Sequence, residues 1–199
     1  MRLKHWTMLG AILAILGGCI PLSLQPIYTD DVLVYEPRLE GEWKAEEDAL
    51  TWRFARGEGK SYTVSVKEDE TEMEYAGHLV KLGEHYFLDL LVQRAEGLPE
   101  GERLLELQLV PVHLFLRLAF SDAGIQLFVL DFDWLEDRIE QHRLWAPHTQ
   151  LEALDDYPLF TASPKRMQRF LKRWANHEEA WADGGLLVRA VPETVSPAA

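Results

Sequence analysis

Three histidines, His78, His85 and His113, fall in stretches with strand character, and an imidazole serves equally as metal ligand or general base. Metal binding needs two or three ligands converging with partners behind them. The chain has neither His-x-x-x-His nor Cys-x-x-Cys, so core or capped histidines are expected and no metal or cofactor is assigned. Asp131, Asp133, Glu136 and Asp137 make a local acidic group with oxygen ligands for a hard cation. The regular spacing and central glycine of a calcium loop are missing, and capping of a helix explains Asp133 and Glu136. Ser61 and Ser65 alternate along a strand, Ser163 stands at a helix start, and none lies in Gly-x-Ser-x-Gly. No catalytic residue is assigned, and neither Gly-x-Gly-x-x-Gly nor a phosphate loop is present. One concentration of charge stands apart. Lys165, Arg166, Arg169, Lys172 and Arg173 cluster opposite an apolar stripe, as on a helix that meets a membrane or an acidic partner. The alternative use of such cations is to complement the domain's own carboxylates while the stripe packs on the core.

The lone cysteine, Cys19, follows a distinctive leader. Arg2, Lys4 and His5 are basic, residues 6–16 are apolar or small apart from Thr7, and Gly17 and Gly18 follow. That order describes a secretory signal peptide over residues 1–18. Its apolar run falls short of the roughly 20 residues that span a bilayer as a helix. Leu16-Gly17-Gly18-Cys19 resembles the bacterial lipobox. The resemblance implies cleavage after Gly18 and a diacylglyceryl group on the Cys19 sulfur, making the chain a lipoprotein of the cell envelope. Ile20 is not the aspartate that, by the same resemblance, retains lipoproteins at the inner membrane; the outer membrane, facing the periplasm, is expected in a Gram-negative cell. With no second cysteine, an exported domain has no internal disulfide and depends on its core.

Composition permits such a core: 47% of residues are hydrophobic, with seven Trp, six Tyr and eight Phe. The formal charge is −13; the leader holds Arg2 and Lys4 but no acid, so its removal leaves −15. A surface so acidic repels phosphate backbones, which argues against nucleic acid as a partner. It also tends to hold a tethered domain away from anionic lipid.

The elements that must position these residues are mostly strands. Residues 19–38, with Pro21, Pro26 and Pro37, read as lipid anchor and extended tether, because proline fixes φ and removes a donor. A single β-rich domain is expected over 39–192 and a disordered tail over 193–199. In 61–66, Tyr62, Val64 and Val66 alternate with hydroxyl residues, the period of a half-buried strand. Glu68-Asp69-Glu70 reads as a solvated turn and Glu46-Glu47-Asp48 as a hairpin tip. Strands at 73–82 and 86–92 are separated by Gly83-Glu84, which predicts a hairpin. Further strands are expected at 104–110, 112–120 and 125–132, several of them apolar on both faces. Something must therefore cover their outer side. Two helices are suited to cover it. One is capped by Asp133 and runs to 142; the other is capped by Ser163, with Pro164 at its first position and Met167, Phe170, Leu171 and Trp174 on one stripe. Asn176 is read as opening a further turn carrying Trp181, ended by Gly184-Gly185, before a last strand at 186–191.

Gly41-Glu42-Trp43 at the first strand of the domain is similar to the opening motif of lipocalins. There the tryptophan closes one end of an eight-stranded barrel, and a late helix packs outside before a short final strand. The resemblance implies a barrel with one late helix outside it and makes Trp43 a barrel-floor residue. The Asp133 helix has no place in that plan, and with it the expected fold is mainly β, a barrel or strongly curved antiparallel sheet with two C-terminal helices outside. The alternative is an open α+β sheet with helices on one face. Functionally, the expectation is a membrane-anchored, non-enzymatic binding domain for a small apolar ligand. A second reading is an assembly lipoprotein docking another envelope protein. A third, an envelope hydrolase, requires a cleft gathering His with Asp or Ser, His113 among them.

Overall fold

The computed structural model describes residues 21–45, 49–96, 112–151 and 157–190. The leader, Cys19, the acidic tip at 46–48, the expected strand at 104–110 and the tail at 193–199 lie outside the described residues.

Eight antiparallel strands close a barrel. They are β3 (Gly41–Ala45), β4 (Thr51–Arg56), β5 (Ser61–Glu68), β6 (Thr71–Leu82), β7 (His85–Glu96), β8 (His113–Phe120), β9 (Ile125–Leu130) and β12 (Trp181–Arg189). Each pairs with the next, β8 with β9, β9 with β12, and β12 with β3, so no open edge remains between first and last. Closure decides between the barrel and the open sheet. The Gly83-Glu84 hairpin forms as expected, pairing Leu82 with His85, with Gly83 at φ +67° where a side chain would be strained.

Period-two alternation sends one set of side chains into the lumen. Trp43, Trp52, Phe54, Tyr62, Val64, Tyr75, Leu88, Leu90 and Leu116 belong to this inner core. No buried member of that cluster is more than 6% exposed. A Cβ placed on Gly77 would come within 2.6 Å of Val64 Cγ2. Rings and branched side chains thus line the lumen, shielded from solvent.

A second core lies outside the barrel. Val80, Leu82, Phe87, Phe115 and Leu130 point outward from the wall and are covered by α1 (Phe132–Glu140) and α2 (Pro164–Trp174). This is the cover that strands apolar on both faces require. Between the helices, β10 (His148–Leu151) and β11 (Tyr157–Phe160) form a small annex. The annex joins the barrel through β1 (Leu22–Ser23), which lies parallel to β11 and antiparallel to the start of β8. Farther on, β2 (Leu33–Val34) pairs with the end of β6. Of the stretch expected as a tether, residues 21–34 form a strap, bent at a turn over 29–32, that pairs with the wall through β1 and β2.

Three local expectations are corrected. The cap of α1 is Asp131, whose carboxylate accepts from the Trp134 N–H at 2.8 Å, so the cap lies two residues before the expected Asp133. Ser163 holds the N-cap position of α2 but its hydroxyl makes no capping bond; Pro164 at the first position leaves one orphan donor fewer. Trp181 opens a barrel strand, and Gly184-Gly185 forms a bulge inside it where the register to β9 shifts. A bulge adds twist. Here it lets one strand serve both β9 and β3.

Candidate functional site

The described residues of interest gather on the outer wall, between the N-terminal strap and α2. On β6 and β7, His78 and Asp89 are direct cross-strand partners, both pointing outward. On β8, His113 pairs with Leu91, which places it diagonally beside Asp89. The Asp89 carboxylate is fully buried, and its two oxygens are divided between two elements. One accepts from the Ile27 N–H at 2.8 Å, and the other meets His113 Nδ1 at 2.7 Å. The Ile27 carbonyl accepts from the Gln168 side chain of α2 at 3.1 Å, and the same amide donates to Thr29 Oγ1 at 3.0 Å. Both backbone groups of one strap residue are thereby held, one by the barrel and one by the helix.

His78 lies at the rim of this cluster, stacked on Tyr28 with ring centroids 4.2 Å apart. Burial pushes its pKa below the ordinary histidine value; the Asp89 charge opposes this and His113 adds to it. Its Nδ1 has no hydrogen-bond partner among the described residues. His85 is elsewhere, its Nε2 2.8 Å from the Asn176 side-chain oxygen. Of the three strand histidines, the fold unites two around a carboxylate that no motif marked. The missed signal was Asp89 itself, a lone charge in the apolar run of 87–91.

This is the gathering of His113 with an acid that the hydrolase reading requires. Ser23 pairs with His113 across β1 and β8, yet its hydroxyl donates to the Gln25 carbonyl at 2.7 Å. His113 is 7% exposed under the strap. Both carboxylate oxygens are engaged in holding backbone and imidazole, which is the chemistry of a clamp.

The outward face of α2 is different in kind. Lys165 meets Asp31 of the strap at 2.7 Å; its ammonium, with help from the Thr29 hydroxyl, holds the Asp31 carboxyl down to about 2. Arg166, Arg169, Lys172 and Arg173 are exposed and have no ion-pair partner among the described residues; Arg173 only stacks on Trp174. Trp145, 43% exposed, leans on Phe170 with centroids 6.0 Å apart. Arg166 and Arg173 lie one turn to either side of Phe170 on the helix. Arg117 donates to the Ala175 carbonyl at 2.9 Å, fastening the end of the helix to β8.

Trp43 lies at the start of the barrel, its indole N–H donating to the Leu39 carbonyl at 2.9 Å above the 3-10 turn Pro37–Leu39. The Arg189 guanidinium covers the ring at 4.3 Å and donates to the Arg38 and Glu40 carbonyls. Asp131, Asp133, Glu136 and Asp137 lie on or before α1, and no metal-holding group of His, Cys, Asp and Glu occurs among the described residues. Among them, too, no helix is long and apolar enough to cross a membrane. No family model, curated protein or solved structure matches the chain. The class is therefore set by the fold alone: a closed eight-stranded antiparallel barrel with two helices outside.

Proposed function

We propose that the chain is a lipid-anchored envelope lipoprotein, held by Cys19, whose non-catalytic barrel domain docks another envelope component through the outward face of α2. The carrying observation is the set of four exposed cations, Arg166, Arg169, Lys172 and Arg173, which have no carboxylate partner among the described residues of a chain of net charge −13. An acidic domain has ample carboxylates with which to neutralise its own cations. Cations left facing solvent on one helix, beside an exposed tryptophan, are arranged for a partner. The non-catalytic reading is supported by the closure of the His113–Asp89 pair under the strap, where His113 is 7% exposed. The lipocalin-like alternative is a small apolar ligand held among the rings and branched side chains that line the barrel.

Two measurements test this. The intact mass of the membrane-extracted protein should lack residues 1–18 and carry a diacylglyceryl increment on Cys19, and Cys19→Ser should leave the membrane fraction. Crosslinking in the native envelope should give an adduct through the α2 face that Arg166→Glu/Arg169→Glu/Arg173→Glu removes. A crosslinking pattern indifferent to that triple change would sink the docking assignment.

A further inference from the structure

We infer that the component docked by the α2 face is the anionic phospholipid surface of the membrane that Cys19 enters, so that the domain lies against the bilayer in one orientation. This rests on the anchoring proposed above and adds to it a partner and a pose.

The shortness of the leash fixes the pose. Pro21 is buried, Leu22 and Ser23 are paired with β8 and β11, and the Leu24 N–H donates to the Phe160 carbonyl at 2.9 Å. Pro21 follows Cys19 by two residues, a reach of at most about 7 Å. A lipid on Cys19 therefore holds the barrel wall close to the headgroups. The start of α2 is fastened to the same strap farther along, Pro164 following Phe160 by four residues and Lys165 being bonded to Asp31. The unpaired arginines begin there.

Charge and shape then choose what faces the lipid. The acidic remainder of the domain repels an anionic surface, and screening limits any such interaction to about 8–10 Å. Within that range only a face rich in unpaired cations is attracted, at about 1 kcal/mol per Lys or Arg near the surface, or roughly fivefold in partitioning. Trp145 supplies the other half of an interfacial contact, an amphipathic ring of the kind enriched at headgroup depth. An acidic protein could use the same cations, and it is the competing occupant that the test separates from lipid.

The test uses full-length lipidated protein in vesicles of phosphatidylcholine, with or without a third of phosphatidylglycerol, whose acyl chains are brominated to quench tryptophan. Trp145→Phe isolates the contribution of that ring. The expected result is quenching of Trp145 several-fold stronger in the anionic vesicles, abolished by Arg166→Glu/Arg169→Glu/Arg173→Glu or by molar salt. Flotation with the vesicles and near-ultraviolet circular dichroism should remain unchanged. Equal quenching in both vesicle types, or none assignable to Trp145, overturns the inference. So does loss of a crosslink to an acidic protein in a chain indifferent to phosphatidylglycerol, which transfers the face to a protein partner. Failure of the wild-type chain to float, with no lipid mass on Cys19, instead defeats the anchoring. The unlipidated chain at high concentrations of anionic vesicles then still reads the face through Trp145.

Discussion

Asp89 joins three pieces of chain that are distant in sequence: the strap through Ile27, the β8 wall through His113 and, through the Ile27 carbonyl, Gln168 of α2. A buried carboxylate is costly unless its lone pairs are filled, and here both oxygens are used. Asp89→Ala leaves the Ile27 N–H and the His113 imidazole without their acceptor and should cost about 3–5 kcal/mol. Asp89→Asn keeps an acceptor for one of them and should cost less. Urea midpoints give the order, and hydrogen exchange at the Ile27 amide should accelerate in both; wild-type protection there would disprove the clamp. His78 supplies a pH dependence. Burial lowers its folded-state pKa, so the unfolded chain takes the proton first as pH falls through about 6.5. The unfolded state then binds more protons, and stability declines from neutral pH toward acid until the folded value is passed. His78→Phe should flatten that part of the slope when midpoints at about pH 7.5 and about pH 5 are compared. An unchanged slope would place the titration on other groups.

The elements show where barrel closure is most vulnerable. β12 must serve β9 on one edge and β3 on the other, and the Gly184-Gly185 bulge separates the register of its two halves. Beside this seam Gly124 has φ +150°, and a Cβ there would lie 2.1 Å from the Leu187 carbonyl oxygen. Gly185 has φ +93° but open space around it. Gly185→Ala should therefore cost only its backbone strain, about 1–2 kcal/mol. Gly124→Ala must also displace the β12 backbone and should cost clearly more. Chemical denaturation of the two variants distinguishes them, and equal losses would mean that the β9–β12 seam tolerates displacement. α2 is held on a comparable principle, with Gln168 on the strap and Arg117 on the Ala175 carbonyl at its far end. Trp174 and Trp181 add a third fastening, the Trp181 indole donating to the Trp174 carbonyl at 2.9 Å.

At the scale of the molecule there are two cores back to back, one filling the barrel and one between its wall and the helices. The strap belongs to both, since Ile27 packs in the outer core while Leu22 and Val34 pack against the inner one. Deleting residues 21–34 should therefore cost more than Asp89→Ala, because it removes the buried Ile27 side chain, worth about 2–3 kcal/mol, along with its hydrogen bonds. The deleted protein should also bind hydrophobic dye where Phe87 and Phe115 lose cover. A wild-type midpoint with no dye binding would show the strap to be decoration. Under the proposed anchoring at Cys19, the same strap would leave little slack between lipid and domain, which makes the orientation of the whole barrel a question about one face of α2.

Local patterns made much of this legible. Alternation in 61–66, the Gly83-Glu84 turn and the Met167-Phe170-Leu171-Trp174 stripe act within a few residues, and β5, its hairpins and α2 follow them closely. Apolarity on both faces of the later strands called for an outer layer, and the helices provide it. The leader and Cys19 are readings of the sequence alone, since they lie outside the described residues. What needed the tertiary structure was every decision made between distant segments. Closure depends on β12 meeting both β3 and β9, which no local period encodes. The prolines of 21–37 imply an extended chain but cannot say whether it hangs free or lies on a wall. His78, Asp89 and His113 meet only because β6, β7 and β8 pair in one register, where a slip of a single residue would turn them to opposite faces. Likewise, five cations on one helix face were visible in the sequence, but only packing decides that Lys165 is bonded to Asp31 and the others face solvent.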